Sequence, residues 1–391
     1  MVRLQGCASV ALDREQPTAY LHVAPKRHVQ LGGGLLGFAF QEAVVARSSW
    51  LDRKVWERLL RFESRDYLAR FYRKKHGRDL NAQRAREIGA CFSQGRDYFS
   101  AASQASETVK PLVIYYGVAS LCRGATMLRN KDKREESLTP GHGLATVGWA
   151  DTLSGGIENV LQLQVEATKG TFTEFVEALG NGQSYTWLSA DLRTGGFQHD
   201  YGQPSLLMDG TRVTLWDLLS RERELAAEFE IANDGWGNTD FGRVVALEDR
   251  IRIHFSPIKG MDQEAAIASY HFPATATFSI QPDPKVPVLQ TVCVEMLAEG
   301  EARKALLPMA ERQSEQVAWL IRPLPNGDNL IDIHRLLIEA YILGMLCRYF
   351  PSKWMALLGS DKGDIARSVI LAAIDRIERE FPKLLTDQLP G

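Results

Sequence analysis

Two apolar segments, at 108–129 and 330–349, stand far apart in a chain of 391 residues. They restrict the fold more than any other feature. The first is apolar on nearly every side between 112 and 122; the second is interrupted only by isolated polar residues and stopped by Pro351. A helix that is apolar all round has to be covered all round. A membrane-spanning helix needs about 20 apolar residues with few charges, but Arg123 lies in one segment and Glu339 in the other. Both segments therefore read as core helices, and the economical solution packs them on each other. A buried charge without a partner is costly, so Arg123 and Glu339 are expected to pair across the two helices.

Further helices are predicted around them. Leu51, Val55, Leu59, Phe62 and Leu68 recur near helical spacing over 51–76, with Gly77 as the stop. Ile88, Phe92, Gly95, Phe99 and Ala102 form one stripe over 81–103. Pro111 suits the first turn of the third helix. A last helix is expected from Asp364 to Phe381, ending before Pro382, with the stripe Ile365, Val369, Ala373, Ile377 and Phe381. Between these groups the period changes to two. Leu161, Leu163 and Val165 alternate with polar residues, as do Ile251, Ile253 and Phe255, with 244–247 as a hairpin partner. Strands are also expected over 287–296 and 316–322, and a helix over 215–230 starting at Thr214 and Asp217.

The fold class that follows is α+β. A mainly helical, discontinuous bundle is expected from 51–148 and 328–391, with an inserted mixed α+β region over 149–327 that contains an antiparallel sheet. Residues 1–50 form an N-terminal extension without an assigned structure. Their run Gly32-Gly33-Gly34-Leu35-Leu36-Gly37 lacks the Lys-Ser/Thr of a phosphate loop and the spacing of a dinucleotide fingerprint. Asp13, Arg14 and Glu15 interrupt the start, so no secretory leader is read there.

The net charge of −2 averages two unlike parts. Residues 1–134 carry +12 and residues 135–391 carry −14. Such asymmetry points either to an anionic partner or to two parts that face each other within the molecule. The five cysteines are scattered and form no CxxC pair, which argues against a disulfide framework or zinc ribbon and for a reducing cytoplasm. No closely spaced histidine pair, HExxH, GxSxG or Cys–His pairing is visible, so no metal and no cofactor are expected, nor an ordinary hydrolase or Rossmann enzyme.

Asp97-Tyr98-Phe99, then Lys110-Pro111-Leu112-Val113-Ile114-Tyr115-Tyr116-Gly117, then His142-Gly143-Leu144 resemble the YaaC-like family of bacterial proteins. So do Leu343-Gly344-Met345-Leu346-Cys347-Arg348-Tyr349-Phe350-Pro351, Trp354, Lys362-Gly363-Asp364 and Phe381-Pro382. The family carries architecture and bacterial origin with it, and no settled activity. The paired helices with a Tyr-rich second member are also similar to the HEPN group. Many of that group are metal-independent RNases of toxin and phage-defence systems that dimerise and use an Arg-x4–6-His motif. Seven residues separate Arg134 from His142, whereas Arg70/His76 and Arg193/His199 keep the HEPN spacing elsewhere.

The resemblance implies an RNA-binding or RNA-cleaving effector in stress or phage defence. The alternatives are a non-catalytic interaction protein of a bacterial complex and a nucleotide or small-molecule sensor. The expected partners are RNA or another nucleic acid, a protein of the same complex, and further copies of the chain; no membrane is expected. His142, between two glycines, is the candidate proton-transfer group, with Arg129 and Arg134 as candidate catalytic cations. Arg123, Tyr115, Tyr116, Arg348 and Trp354 are candidate ligand-binding residues. Arg58, Arg61, Arg65, Arg73, Lys74 and Lys75, interleaved with Trp56, Tyr67 and Tyr72, are the candidate nucleic-acid contacts.

Overall fold

The computed structural model describes residues 53–389, except 189–193, 201, 203, 205–210, 234–236, 247–249, 256–262, 271, 273–275, 283–289, 298–309, 313–317, 360 and 362–363. The extension 1–50, Leu51, Arg193, His271 and Lys362-Gly363 lie outside the described residues.

The long basic helix expected over 51–76 is two helices. Helix α1 (53–60) runs into a 3-10 turn, and α2 (Arg65–His76) restarts where the Ser64 side chain accepts from the Tyr67 amide. Its periodicity hides the break because Leu59, Phe62 and Leu68 are buried on both sides of it. Helices α3 (Ala82–Ala102) and α4 (Lys110–Arg129) pack along their length, and all five residues of the expected α3 stripe are buried. Two late helices, Asp332–Tyr349 and Arg367–Gln388, complete the bundle around α4; they are named α10 and α12 below.

Strand β1 (His142–Val147) follows α4 and pairs antiparallel with β2 (Gln164–Gly170), which pairs with β5 (Arg212–Thr214). Leu161 and Gln162, expected as the start of the strand, instead end a 3-10 turn (Ile157–Gln162), because that turn also buries Leu161, with Ile157 and Val160. Helix α5 (Trp149–Ser154) leads into this turn, and α6 (Thr171–Leu179) packs between β2 and α4. Strands β3 (Gly182–Leu188) and β4 (Thr194–Asp200) form a separate hairpin.

The helix expected over 215–230 is likewise broken. Thr214 and Asp217 do form the capping box, but α7 (Leu215–Leu219) ends early, and a 3-10 turn precedes α8 (Ala226–Asn233). A six-stranded antiparallel sheet follows. It contains β6 (Thr239–Ala246), β7 (Arg250–Phe255), β8 (Thr277–Pro282), β9 (Gln290–Leu297), β10 (Ala310–Arg312) and β11 (Ala318–Ile321), in the order β10-β11-β6-β7-β9-β8, with α9 (Gln263–Ala268) between β7 and β8. The expected hairpin is its centre, with Ala246 opposite Ile251. The chain is thus mainly helical with small antiparallel sheets.

Helix α10 (Asp332–Tyr349) is buried over nearly all of its length and packs on α4, as the all-round apolar pattern requires. Pro351 starts α11 (Pro351–Leu358). The final helix α12 (Arg367–Gln388) does not end at Pro382 but continues six residues beyond it. The proline forfeits one backbone hydrogen bond, but Phe381, Pro382 and Leu385 are all buried there and offset the loss. Ile365, expected in the stripe, is exposed in the 3-10 turn before the helix.

The expected Arg123–Glu339 pair is not among the ion pairs of the described residues. Glu339 is fully buried against Glu222, Arg376 and Arg335, and Arg123 is half-buried near the Cys91 thiol.

Candidate functional site

Three elements bring candidate residues together. Tyr115 and Tyr116 lie on α4, His142 opens β1, and Tyr341 and Arg348 come from α10. Gly143, at φ 77°, makes the placement of His142 work: a Cβ there would sit 2.5 Å from the Phe172 amide nitrogen. Only glycine accommodates both that φ and that approach. The resulting bulge between His142 and Leu144 directs the imidazole onto α4.

The Tyr115 hydroxyl lies 2.5 Å from His142 Nδ1, and the rings of Tyr115 and Tyr341 each lie 5.4 Å from the imidazole. Arg348 Nη1 donates to the Tyr116 hydroxyl at 2.8 Å, and its guanidinium lies 5.0 Å from the Tyr349 ring centre. Tyr115 is buried, His142 and Tyr116 are half-buried, and Arg348 and Tyr349 are exposed, so the cluster runs from the core to the surface.

Burial, and then the positive charge of Arg348, lower the His142 pKa, so the ring is neutral at neutral pH. Burial, and then the neighbouring Tyr341, push the Tyr115 phenol far above its ordinary value, so it keeps its proton. A buried phenol needs an acceptor, and His142 Nδ1 is the acceptor in reach. That assignment places the imidazole proton on Nε2, which makes no hydrogen bond to a described residue. The neutral ring then offers an N–H donor beside a cationic guanidinium. This suits an anionic oxygen better than it suits proton abstraction.

The other candidates sit elsewhere. Arg134 is held by Glu87, at 2.5 Å from Oε1. Arg129 is half-buried, with Nη2 3.4 Å from the Leu179 carbonyl. Neither makes a hydrogen bond to His142 among the described residues; both are used to fix α4 and the loop that follows it. Trp354 is buried, and its indole donates to the Glu107 carbonyl, so it secures the α3–α4 connection rather than a ligand. His76, of the Arg70/His76 spacing, donates to the Leu128 carbonyl. With Arg84, which donates to the carbonyls of Met127, Asn130 and Lys131, it caps the C-terminal end of α4.

On the basic face, Arg58 lies 3.6 Å from Asp387, and Arg73 contacts Asp79 at 2.6 Å. Arg61, Arg65, Lys74 and Lys75 are exposed and make no ion pair with a described residue. The interleaved aromatics do not face outward. Tyr72 is buried, Tyr67 packs edge-on against Phe62, and Trp56 packs against Phe99.

The family model for YaaC-like proteins matches residues 60–389. The chain belongs to the YaaC-like family. No curated protein and no solved structure matches it. In this YaaC-like chain the Tyr115-Tyr116, His142-Gly143 and Leu343-Gly344…Arg348 motifs meet at one place, the His142 cluster. Sequence reasoning missed Tyr341 because a tyrosine inside an apolar helix carries no sign of what it will face. It also missed a Cys–His contact. Cys293 on β9 stands opposite His254 on β7, with Sγ 3.9 Å from Nε2. Burial raises the Cys293 thiol, so it is held protonated rather than as a nucleophilic thiolate. Among the described residues no group of three or more His, Cys, Asp or Glu side chains is placed to hold a metal ion, and no helix is long and apolar enough to cross a membrane.

Proposed function

We propose that this YaaC-like protein is an RNA-binding effector of bacterial stress or phage defence, and that the His142 cluster takes a phosphate of the strand. One observation carries the reading: an imidazole N–H, a tyrosine hydroxyl and a guanidinium from β1, α4 and α10 meet where the core opens to the surface. Arg348 supplies the charge, His142 Nε2 a directed donor, and the exposed Tyr349 ring a surface for a base. Arg61, Arg65, Lys74 and Lys75, exposed and without an ion pair to a described residue, add sequence-independent attraction. Binding is favoured over cleavage because Arg129 and Arg134 are engaged away from His142.

Fluorescence anisotropy with a labelled single-stranded RNA tests this. Binding should weaken as salt rises. His142→Ala and Arg348→Ala should each weaken it about tenfold, or ~1.4 kcal/mol. Arg348→Ala should leave the melting temperature unchanged, whereas His142→Ala should also lower it, because the buried Tyr115 phenol loses its acceptor. Acidification through the lowered His142 pKa adds a positive charge, so affinity should rise below pH ~6.5 in the wild type and not in His142→Ala. Absence of binding at low salt, or binding indifferent to both substitutions, would sink the proposal.

A further inference from the structure

Strand β8 (Thr277–Pro282) is one edge of the six-stranded sheet, and all six of its residues are exposed. Edge strands of single-chain proteins are usually blunted by charge, by a central proline or by a bulge. This one, Thr-Phe-Ser-Ile-Gln-Pro, has no charged residue, and its only proline is the last. Its pairing to β9 runs without a shift from Thr277–Glu295 to Pro282–Gln290. Phe278 and Ile280 point to the same face, as alternate residues of a strand must. Opposite them on β9 stand Val294 and Val292, both fully buried. The apolar layer of this face therefore reaches the edge and stops there in the open, with Phe278 43% and Ile280 52% exposed.

We propose that β8 pairs antiparallel with β8 of a second copy of this chain, joining the two sheets across a two-fold axis. The order of residues selects both the occupant and the register. In an antiparallel pair, directly opposed residues share a face. Centring the axis on Ser279 places Phe278 opposite Ile280 of the second copy, and Ile280 opposite its Phe278. Two aromatic–β-branched pairs then form at once, a favourable cross-strand combination. The same register places Ser279 against Ser279 and Thr277 against Gln281, so no like charges meet. A strand that is self-complementary in this way makes an isologous contact, which closes as a dimer and uses up the β8 edge of both copies. The inference does not depend on RNA binding.

Sedimentation velocity on the full chain at micromolar concentration should show a dimer. Ile280→Lys should convert it to a monomer with an unchanged far-UV spectrum. In a Cys293→Ser background, Ser279→Cys should form an intermolecular disulfide under mild oxidation, whereas Pro282→Cys, away from the axis, should not. The idea is overturned if the wild type is a monomer, or if its dimer survives Ile280→Lys. A monomer whose β8 amides resist hydrogen exchange would show instead that another segment of the same chain covers this edge. A monomer with unprotected β8 amides would leave the strand without a self-partner, and equally without the proposal.

Discussion

Burial of a titratable side chain turns folding into a proton-binding event, and α10 carries two such side chains of opposite kind. His334 is fully buried, neither ring nitrogen has a hydrogen-bond partner among the described residues, and burial drops its pKa to about 3. Unfolding at mildly acid pH therefore takes up a proton, and stability should fall as pH drops from the ordinary histidine value toward 3. The slope of that loss is about 1.4 kcal/mol per pH unit for one proton. Glu339 is also fully buried, and burial, followed by the neighbouring Glu222 carboxylate, raises its pKa to about 8. It is protonated in the folded chain where the unfolded chain has lost the proton. Stability should therefore fall again as pH rises from the ordinary glutamate value through 8. The two effects oppose each other in between and leave a plateau. Urea unfolding at a series of pH values should show both limbs. His334→Leu should flatten the acid limb, and Glu339→Gln the alkaline one. A stability profile unchanged by either substitution would contradict this account.

At the scale of elements, α10 seats closely on α4. An added Cβ on Gly344 would lie 2.8 Å from Tyr115 Cβ and 3.4 Å from the Pro111 carbonyl oxygen. The absence of a side chain at 344 is what lets α10 deliver Tyr341 and Arg348 to a tyrosine that already holds His142. Gly344→Ala should cost about 1–3 kcal/mol by overpacking and displace the Tyr115 hydroxyl. Denaturant unfolding would read the first effect, and an NMR titration of the His142 ring the second, as a pKa returning toward its ordinary value. The helices and the central hairpin were legible in the sequence because their signals are local: Pro111 in a first turn, the Thr214–Asp217 box, alternation across 251–255. The breaks at Ser64 and after Leu219, and the passage of α12 through Pro382, were not legible, because buried side chains on both sides keep the same period across them. His142, Tyr115, Tyr116 and Arg348 could each be singled out in the sequence. Their meeting could not, since it depends on β1 and α10 arriving at α4 from distant parts of the chain.

At the scale of the molecule, a buried ionic cluster ties distant parts of the described chain together. Arg335 on α10 reaches Glu222 at 2.8 Å and Asp332 at 2.5 Å, and Arg376 on α12 reaches Glu222 at 2.7 Å. Glu222 belongs to the turn between α7 and α8, so one carboxylate links the middle of the chain to both late helices. Removing one member leaves buried charges without compensation. Glu222→Ala should cost about 3–5 kcal/mol, against about 1 or less for breaking the exposed pair between Arg58 and Asp387. Equilibrium unfolding of the two variants checks the difference. The charge asymmetry of the sequence is partly spent inside the fold, where Lys110 meets Glu378 and Asp375 from α12, and Lys133 meets Glu174.

The seating of α4 against α10 also sets a schedule for biosynthesis. At about 5–20 residues per second, the ribosome releases α4 roughly ten seconds or more before α10 has been made. During that interval a helix apolar on nearly every side has α3, α6 and the early strands to shield it, and its α10 face stays open. The nascent chain is therefore expected to occupy a holding chaperone until its closing helices emerge, and truncation before Asp332 should leave a product that aggregates rather than a smaller folded protein.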